Sequence, residues 1–267
     1  MPQAPPDEAR LQLLRRLAEA AAQAIRPHFR NLDQVETKAG AVFDPVTAAD
    51  REAEAAMRAL LAEAAPDDAV IGEEAAATAG TSGWTWYLDP IDGTRAFVAG
   101  LPSWTTLIGL VGPDGVPAYG CIDQPVLGER YLGWPGGAVL ETATGTVPLR
   151  VSDCRDLRAA VLSTTDPFIL EPAEQGAFTH LRHTARLTRY GLDAYAYARL
   201  AGGSIDLVVE SGLKAWDTAA LIPVVRGAGG VATDWRGAPA GLGGQLACAA
   251  SQAILDQALL ALRRAAV

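Results

Sequence analysis

The sequence predicts a mixed α/β (α+β) protein whose two halves are built differently. Three patterns carry that expectation. Apolar residues recur at steps of three and four near the N-terminus, as on amphipathic helices. From Trp104 onward short apolar runs are divided by Gly/Pro turns, as in an antiparallel meander. After about residue 150 strand and helix patterns alternate. The composition shifts near residue 145, with no linker-like stretch there. We therefore expect one unit of 267 residues, with an N-terminal lobe of about 1–145 and a C-terminal lobe of about 146–267 sharing one site.

The elements follow in order. Leu11, Leu14, Leu17, Ala21 and Ile25 place a helix over residues 7 to about 30. Met57, Leu60 and Leu61 mark the apolar side of a second helix over 47–64, ended by Pro66. A strand over 84–88 runs into the polar segment 89–94. Strands are expected over 105–111, 117–122 and 130–134. The second half reads as a strand at 159–163, a helix at 194–201 closed by Gly202 and Gly203, and a strand at 205–210. A helix at 217–227, strands at 231–234 and 246–249, and a last helix at 252–265 complete the chain.

Composition excludes several roles. A net charge of −9 disfavours nucleic acid and anionic membranes as partners. An anionic substrate would need a local positive centre, which a metal ion supplies. Cys121, Cys154 and Cys248 are far apart and form no zinc spacing, so they read as small buried hydrophobes of a reduced, cytoplasmic protein. No run reaches the ~20 apolar residues of a membrane span, and the polar, proline-rich start does not read as a secretory leader.

Acidic residues gather in four segments: Asp44-Pro-Val-Thr-Ala-Ala-Asp50, Gly72-Glu73-Glu74, Asp89-Pro-Ile-Asp92-Gly-Thr94, and Trp216-Asp217. Each falls where a strand meets a helix or a loop. In the third, two carboxylates lie three residues apart on a chain stiffened by proline. Converging carboxylates repel unless a cation sits between them, and hard oxygen ligands suit Mg²⁺. Gly93 and Thr94 would offer backbone N–H groups to a phosphate, and the Thr94 hydroxyl would orient a water. Each segment also has a plain structural reading. Asp-Pro and Asp-Gly are turn dipeptides. Thr47 and Asp50 have capping-box spacing. Glu73 and Glu74 fit a solvated loop, and Asp217 fits a helix cap. Four such segments together favour a metal site.

These segments, in this order and spacing and followed by Gly227-Ala-Gly-Gly230, resemble the signatures of the inositol monophosphatase family over nearly the whole chain. The resemblance implies a layered αβαβα sandwich of the inositol monophosphatase / fructose-bisphosphatase type. It implies a phosphoric monoester hydrolase that uses two to three Mg²⁺ ions to activate an attacking water. The N-terminal lobe then carries most of the metal site and the C-terminal lobe chooses the substrate. Glu73, Asp89 and the Ile91 carbonyl correspond to ligands of one metal. Asp89, Asp92 and Asp217 correspond to ligands of a second, and Glu73 also to a contact of a third, looser ion. Asp50 and Thr94 correspond to the pair that orients the water, and the Gly93 and Thr94 amides to phosphate contacts. Asp92 and Asp217 also face the substrate. The family resemblance suggests a homodimer acting on a small phosphate ester. The histidines His28, His180 and His183 lie outside every acidic segment and read as surface or structural residues.

Two stretches look more like the histidinol-phosphatase branch of the family. One is Arg95 with the run Pro102-Ser-Trp104-Thr-Thr-Leu107-Ile-Gly109, and the other is Tyr190 to Tyr197 followed by Ile205 to Lys214. L-Histidinol phosphate carries an ammonium and an imidazole, which acidic groups such as Asp193 and Glu210 would favour. Asp193 could equally cap a helix and Arg95 be a solvated arginine, and Glu210 corresponds to a substrate contact in inositol-specific relatives as well. The alternatives are an inositol-1-monophosphatase or a broad sugar or polyol phosphatase. A bisphosphate enzyme has only the stretch Arg182 to Arg189 for its second phosphate. A non-catalytic relative binding protein or RNA fits poorly with a full set of carboxylates.

Overall fold

The structure, a computed structural model, describes residues 7–31, 36–37, 45–46 and 48–267. Asp44 and Thr47, and with Thr47 the capping box read in the sequence, lie outside the described residues. Helix α1 (Glu8–Ile25) starts on the Asp7 side chain, which accepts the amides of Ala9 and Arg10. It stops short of residue 30 because Pro27 supplies no N–H to continue it; single turns follow, and Arg30 sits at φ 62°. A two-residue pair, β1 (Glu36–Thr37) and β2 (Pro45–Val46), precedes α2 (Ala48–Ala64).

A seven-stranded sheet follows in chain order: β3 (Ala69–Gly72), β4 (Thr85–Asp92), β5 (Thr105–Val111), β6 (Pro117–Gln124), β7 (Glu129–Trp134), β8 (Gly137–Thr142) and β9 (Gly145–Pro148). Only the β3–β4 pair is parallel. A short helix, α3 (Thr94–Val98), leaves the end of β4. The second sheet is built from β10 (Val161–Ser163), β11 (Leu187–Arg189), β12 (Leu207–Leu213), β13 (Val231–Thr233) and β14 (Gly244–Ala249), in the order β11-β10-β12-β14-β13. Between its strands run α4 (Pro172–Thr184), α5 (Tyr195–Ala201) and α6 (Ala215–Gly227), and α7 (Gln252–Leu262) closes the chain.

Strand periodicity explains the layering. On the first sheet Leu88, Ile108, Leu110, Cys121 and Leu132 face α1 and α2, whereas Leu107, Ile122 and Tyr131 face α5 and α6. On the second sheet Val208, Leu246 and Cys248 face α5 and α6, and Leu207, Val209 and Ala247 face α4 and α7. The result is five layers, αβαβα, with α5 and α6 buried between the sheets. Helix α6 accordingly shows no polar face through its middle: Thr218 to Val225 are all buried. Among the described residues no helix is long and apolar enough to cross a membrane.

The central helix sits close to the first sheet because glycines clear a path for it. Gly109, Gly120 and Gly133 are cross-strand neighbours on the α6 face. A Cβ on any of them would fall inside van der Waals contact of the α6 backbone between Ala219 and Val224. We expect Gly120→Ala to cost about 1–3 kcal/mol by overpacking, read as a fall of several degrees in Tm. An unchanged melting curve would show that α6 has room to retreat.

Candidate active site

The site forms where β3 and β4 end against the first turn of α6. Asp89 of β4 is paired with Leu107 and Asp92 with Thr105. Three steps along β4 therefore match two along β5, so one residue is extra. In a regular strand positions three apart point to opposite faces; the bulge brings both carboxylates to the α6 face. Pro90 lies in this bulge, where its missing N–H costs no ladder bond, and its carbonyl accepts from the buried Thr106 hydroxyl at 2.7 Å. Alternation does the same on β3. Gly72, opposite Leu88, faces α2, and Glu73 follows on the face shared with Asp89. The Glu73 amide donates to the Leu88 carbonyl at 3.1 Å, which fixes that register at the strand end.

The carboxylates converge. Ligand oxygens of Asp89, Asp92 and Asp217 all lie within 4.8 Å of one another. Asp89 is 3 % exposed, and its Oδ1 has no hydrogen-bond partner. Burial, first, and then the charges of Glu73, Asp92, Asp217 and Asp50 push its carboxyl well above the usual range. Asp92 is also raised well above that range, by burial and then by Asp193 and Asp217, against one hydrogen bond from the Ala194 amide at 2.7 Å. Asp217 is pushed up to about 7 by burial and by Glu73, opposed by the Lys214 amide, which donates to it at 2.7 Å. Asp217 does cap α6 from its first turn, as one reading of the sequence held, and it also faces the other carboxylates. Such crowding of like charge in a buried place is costly without a cation. An orphaned buried oxygen and three converging hard ligands fit a divalent metal ion.

The remaining residues singled out in the sequence surround this trio. Asp50 is 3 % exposed on α2 and contributes to the charge on Asp89. Gly93 stands at φ 81° between β4 and α3, a left-handed conformation that favours glycine. Thr94 donates its hydroxyl to the Ile91 carbonyl at 3.0 Å. Asp193, at φ 48°, is not the cap of α5, which begins after Ala194. Its carboxylate lies against Gly93, and its pKa is pushed up to about 6 by burial, against the pull of Arg95. Glu210 is buried at the bend of β12 and pushed up to about 7 by burial, despite hydrogen bonds from the Thr165 amide (2.9 Å), the Thr165 hydroxyl (2.6 Å) and Tyr197 (3.3 Å). A cleft of about 180 Å³ is lined by Asp92, Thr165, Asp193, Glu210 and Asp217. Thr165 and Asp193 also line a neighbouring cavity of about 610 Å³, walled by Arg95, Leu101, Phe168, Arg182 and Tyr190.

Three supporting residues were not read from the sequence. Thr165 and Tyr197 hold Glu210, and nothing in their local sequence announces it. Glu54 is buried beneath Gly72; its spacing from Asp50 and Arg58 on one helix face was the available signal. Elsewhere, His28 pairs with Glu52 at 3.0 Å and His180 and His183 are exposed on α4, in keeping with surface roles. Cys121 and Cys248 are buried as expected, but Cys154 is partly exposed.

Comparison with known proteins places the chain. The family model for the inositol monophosphatase family matches residues 7–267. A bifunctional phosphatase of Arabidopsis thaliana, chloroplastic IMPL2, is 40% identical over 83% of this chain; the match spans 63% of the plant protein. A histidinol-phosphatase of Mycobacterium tuberculosis is 37% identical, covering 93% of this chain and 96% of its own length. The solved structure of an inositol monophosphatase from Zymomonas mobilis superposes with a TM-score of 0.86 at 39% identity, over 97% of this chain and 100% of that one. The chain belongs to the inositol monophosphatase family, and it is a phosphoric monoester hydrolase.

Proposed function

We propose that the protein hydrolyses L-histidinol phosphate to L-histidinol and phosphate, with two to three Mg²⁺ ions held by its carboxylate cluster. Glu73, Asp89 and the Ile91 carbonyl would hold one ion. Asp89, Asp92 and Asp217 would hold a second, and Glu73 would contact a third. Bound divalent ions supply charge neutralisation for the phosphate and lower the pKa of water. The protein's own groups do the positioning. With its proton committed to Ile91, the Thr94 oxygen accepts from a water. Asp50, buried on α2, takes the other side of that water. The Gly93 and Thr94 amides receive the phosphate at the turn out of β4.

The observation that carries the substrate is the pair of carboxylates, Asp193 and Glu210, beside the cluster where the small cleft meets the larger cavity. Asp193 belongs both to the small cleft and to the larger cavity, and Glu210 lies beside it. Two carboxylates there fit an alcohol bearing an ammonium and an imidazole better than a neutral polyol. The similarity to the mycobacterial histidinol-phosphatase supports the same reading. An inositol ester is the second reading, favoured by the likeness to the Zymomonas mobilis enzyme. In this reading the lobes of about 1–145 and 146–267 act as a single catalytic unit, in a cytoplasmic homodimer serving histidine biosynthesis.

Phosphate release from L-histidinol phosphate and from inositol-1-phosphate, measured in parallel with Mg²⁺ and with EDTA, tests the proposal. We expect at least a tenfold preference in kcat/KM for histidinol phosphate, about 1.4 kcal/mol or more, and no turnover in EDTA. The reverse preference would transfer the activity to polyol phosphates. Turnover that survives EDTA would remove the metals from the reaction.

A further inference from the structure

The loop that carries Glu73 is held by a buried carboxylate outside the cluster. Glu54 lies on α2, one turn after Asp50, and is 1 % exposed. Its Oε2 accepts the Glu74 amide at 2.8 Å. Its Oε1 accepts the Ala75 amide at 3.1 Å and Arg58 Nε at 2.7 Å. Arg58 in turn reaches the Thr78 hydroxyl at 3.2 Å and the Ala75 carbonyl at 3.3 Å. The approach is possible only because residue 72 has no side chain: a Cβ on Gly72 would fall within the Glu54 carboxylate.

The two peptide planes that flank the Glu73 Cα are thus anchored by different elements. The plane before it is tied to β4, through the Glu73 amide and the Leu88 carbonyl. The plane after it is tied to α2, through the Glu74 amide and Glu54. Together they fix the backbone angles of Glu73 and aim its side chain beside Asp89. Farther along, Val70 and Thr78 exchange backbone bonds of 2.8 and 2.9 Å that close the loop. Residues 75–80, which follow this turn, are exposed.

We infer that Glu54 is a positioning residue for metal binding: with Arg58 it clamps the 73–75 turn to α2 and so sets the geometry of Glu73 relative to Asp89. Charge is central to the clamp. A carboxylate accepting two backbone N–H groups and a guanidinium makes charge-assisted bonds, about twice as strong as neutral ones. It also leaves no lone buried charge, because Arg58 neutralises it. Asp50 and Glu54 occupy one face of α2 four residues apart, so the helix delivers Asp50 to the cluster and steadies Glu73 through the same rigid body. Supporting residues of this kind commonly change metal affinity by about 10–100-fold.

The inference rests on the proposed metal site, and the test separates the two. Glu54→Gln keeps shape and volume, but only one of its two terminal atoms can accept: its NH₂ forfeits either the Glu74 amide or both the Ala75 amide and Arg58, and the charge is gone in either case. Binding of Mn²⁺ to the EDTA-treated, substrate-free protein is followed by the paramagnetic resonance of free Mn²⁺. The Mg²⁺ concentration for half-maximal phosphate release is measured alongside. We expect Mn²⁺ binding to weaken about tenfold or more in Glu54→Gln, with the Mg²⁺ requirement rising in parallel and kcat at saturating Mg²⁺ changing less than threefold. Leu255→Ala, a cavity variant in the outer core beneath α7, serves as a control for lost stability alone, with metal binding expected to hold.

Unchanged Mn²⁺ binding in Glu54→Gln, with normal binding by the parent protein, would overturn the clamp. Equal weakening in Leu255→Ala would overturn it too, by making the effect one of stability. Failure of the parent protein to bind Mn²⁺ would instead sink the metal site and the clamp with it. Should Glu54→Gln not fold, Arg58→Met removes the guanidinium half of the clamp and is judged by the same binding measurement.

Discussion

Asp89→Asn is expected to lower kcat/KM by about 10²–10³-fold or more, equivalent to about 3–4 kcal/mol of transition-state stabilisation, while raising the Tm of the metal-free protein. Both effects come from the same crowding. Asp89 is almost fully buried, its Oδ1 is unpartnered, and four other carboxylates act on it. Without a cation, its negative charge is a burden on the fold. An asparagine of the same shape removes that charge and turns an N–H₂ toward neighbouring carboxylates. In the proposed mechanism the same change removes the carboxylate shared by two ions. The measurements are kcat/KM with Mg²⁺ and thermal unfolding at pH 8, with EDTA and with Mg²⁺. The parent protein is expected to gain stability from Mg²⁺ and the variant little. A variant retaining more than a tenth of the parent activity would show that Asp89 is dispensable to the reaction.

How the site assembles was only partly legible in the sequence. The Asp89-Pro-Ile-Asp92 segment declared two carboxylates and a stiff chain. That both face α6 depends on the bulge against Thr105 and Leu107, a property of strand pairing that one segment cannot display. The strand was expected to end at residue 88 and instead runs through Asp92, because Pro90 lies in the bulge. The short strands β3 and β11 and the β8–β9 hairpin were missed, since three to six residues offer too little periodicity to set against a loop. Helix α4 was missed although Glu171-Pro172 with Glu174 is a usable start signal: the Glu171 amide donates to the Glu174 side chain at 2.9 Å. Helix α5 was legible from its closing glycines, and α6 from its unbroken apolar run. The stripe Gly109, Gly120 and Gly133, which lets α6 bring Asp217 up to β4, is visible only once the three strands are placed in register.

The cluster should also invert the usual effect of pH on stability. Asp193, Glu210 and Asp217 are raised to about 6, 7 and 7, and Asp89 and Asp92 well above their ordinary range, in each case chiefly by burial. Their unfolded values lie near 4. Between about pH 4 and pH 7 the metal-free folded protein therefore holds protons that the unfolded chain has released. Stability changes with pH as the protons bound in the unfolded state minus those bound in the native state, so the slope there is negative. In EDTA, Tm should fall as pH rises from 5 to 8 and level off beyond the highest of these values. Below about pH 4.5 the trend should reverse as groups such as Glu174, whose carboxyl is held below its usual range by bonds from Ser211 and Gln245, become protonated. Mg²⁺ held as proposed would compete with those same protons, so the gain in Tm on adding it should widen from pH 5 to pH 8. Differential scanning fluorimetry across that range, with EDTA and with Mg²⁺, gives both curves. Parallel curves in which Tm is independent of pH would mean that the carboxylates share no cation and carry ordinary pKa values. Curves that diverge with rising pH would tie the cost of gathering these acids to the ion that relieves it.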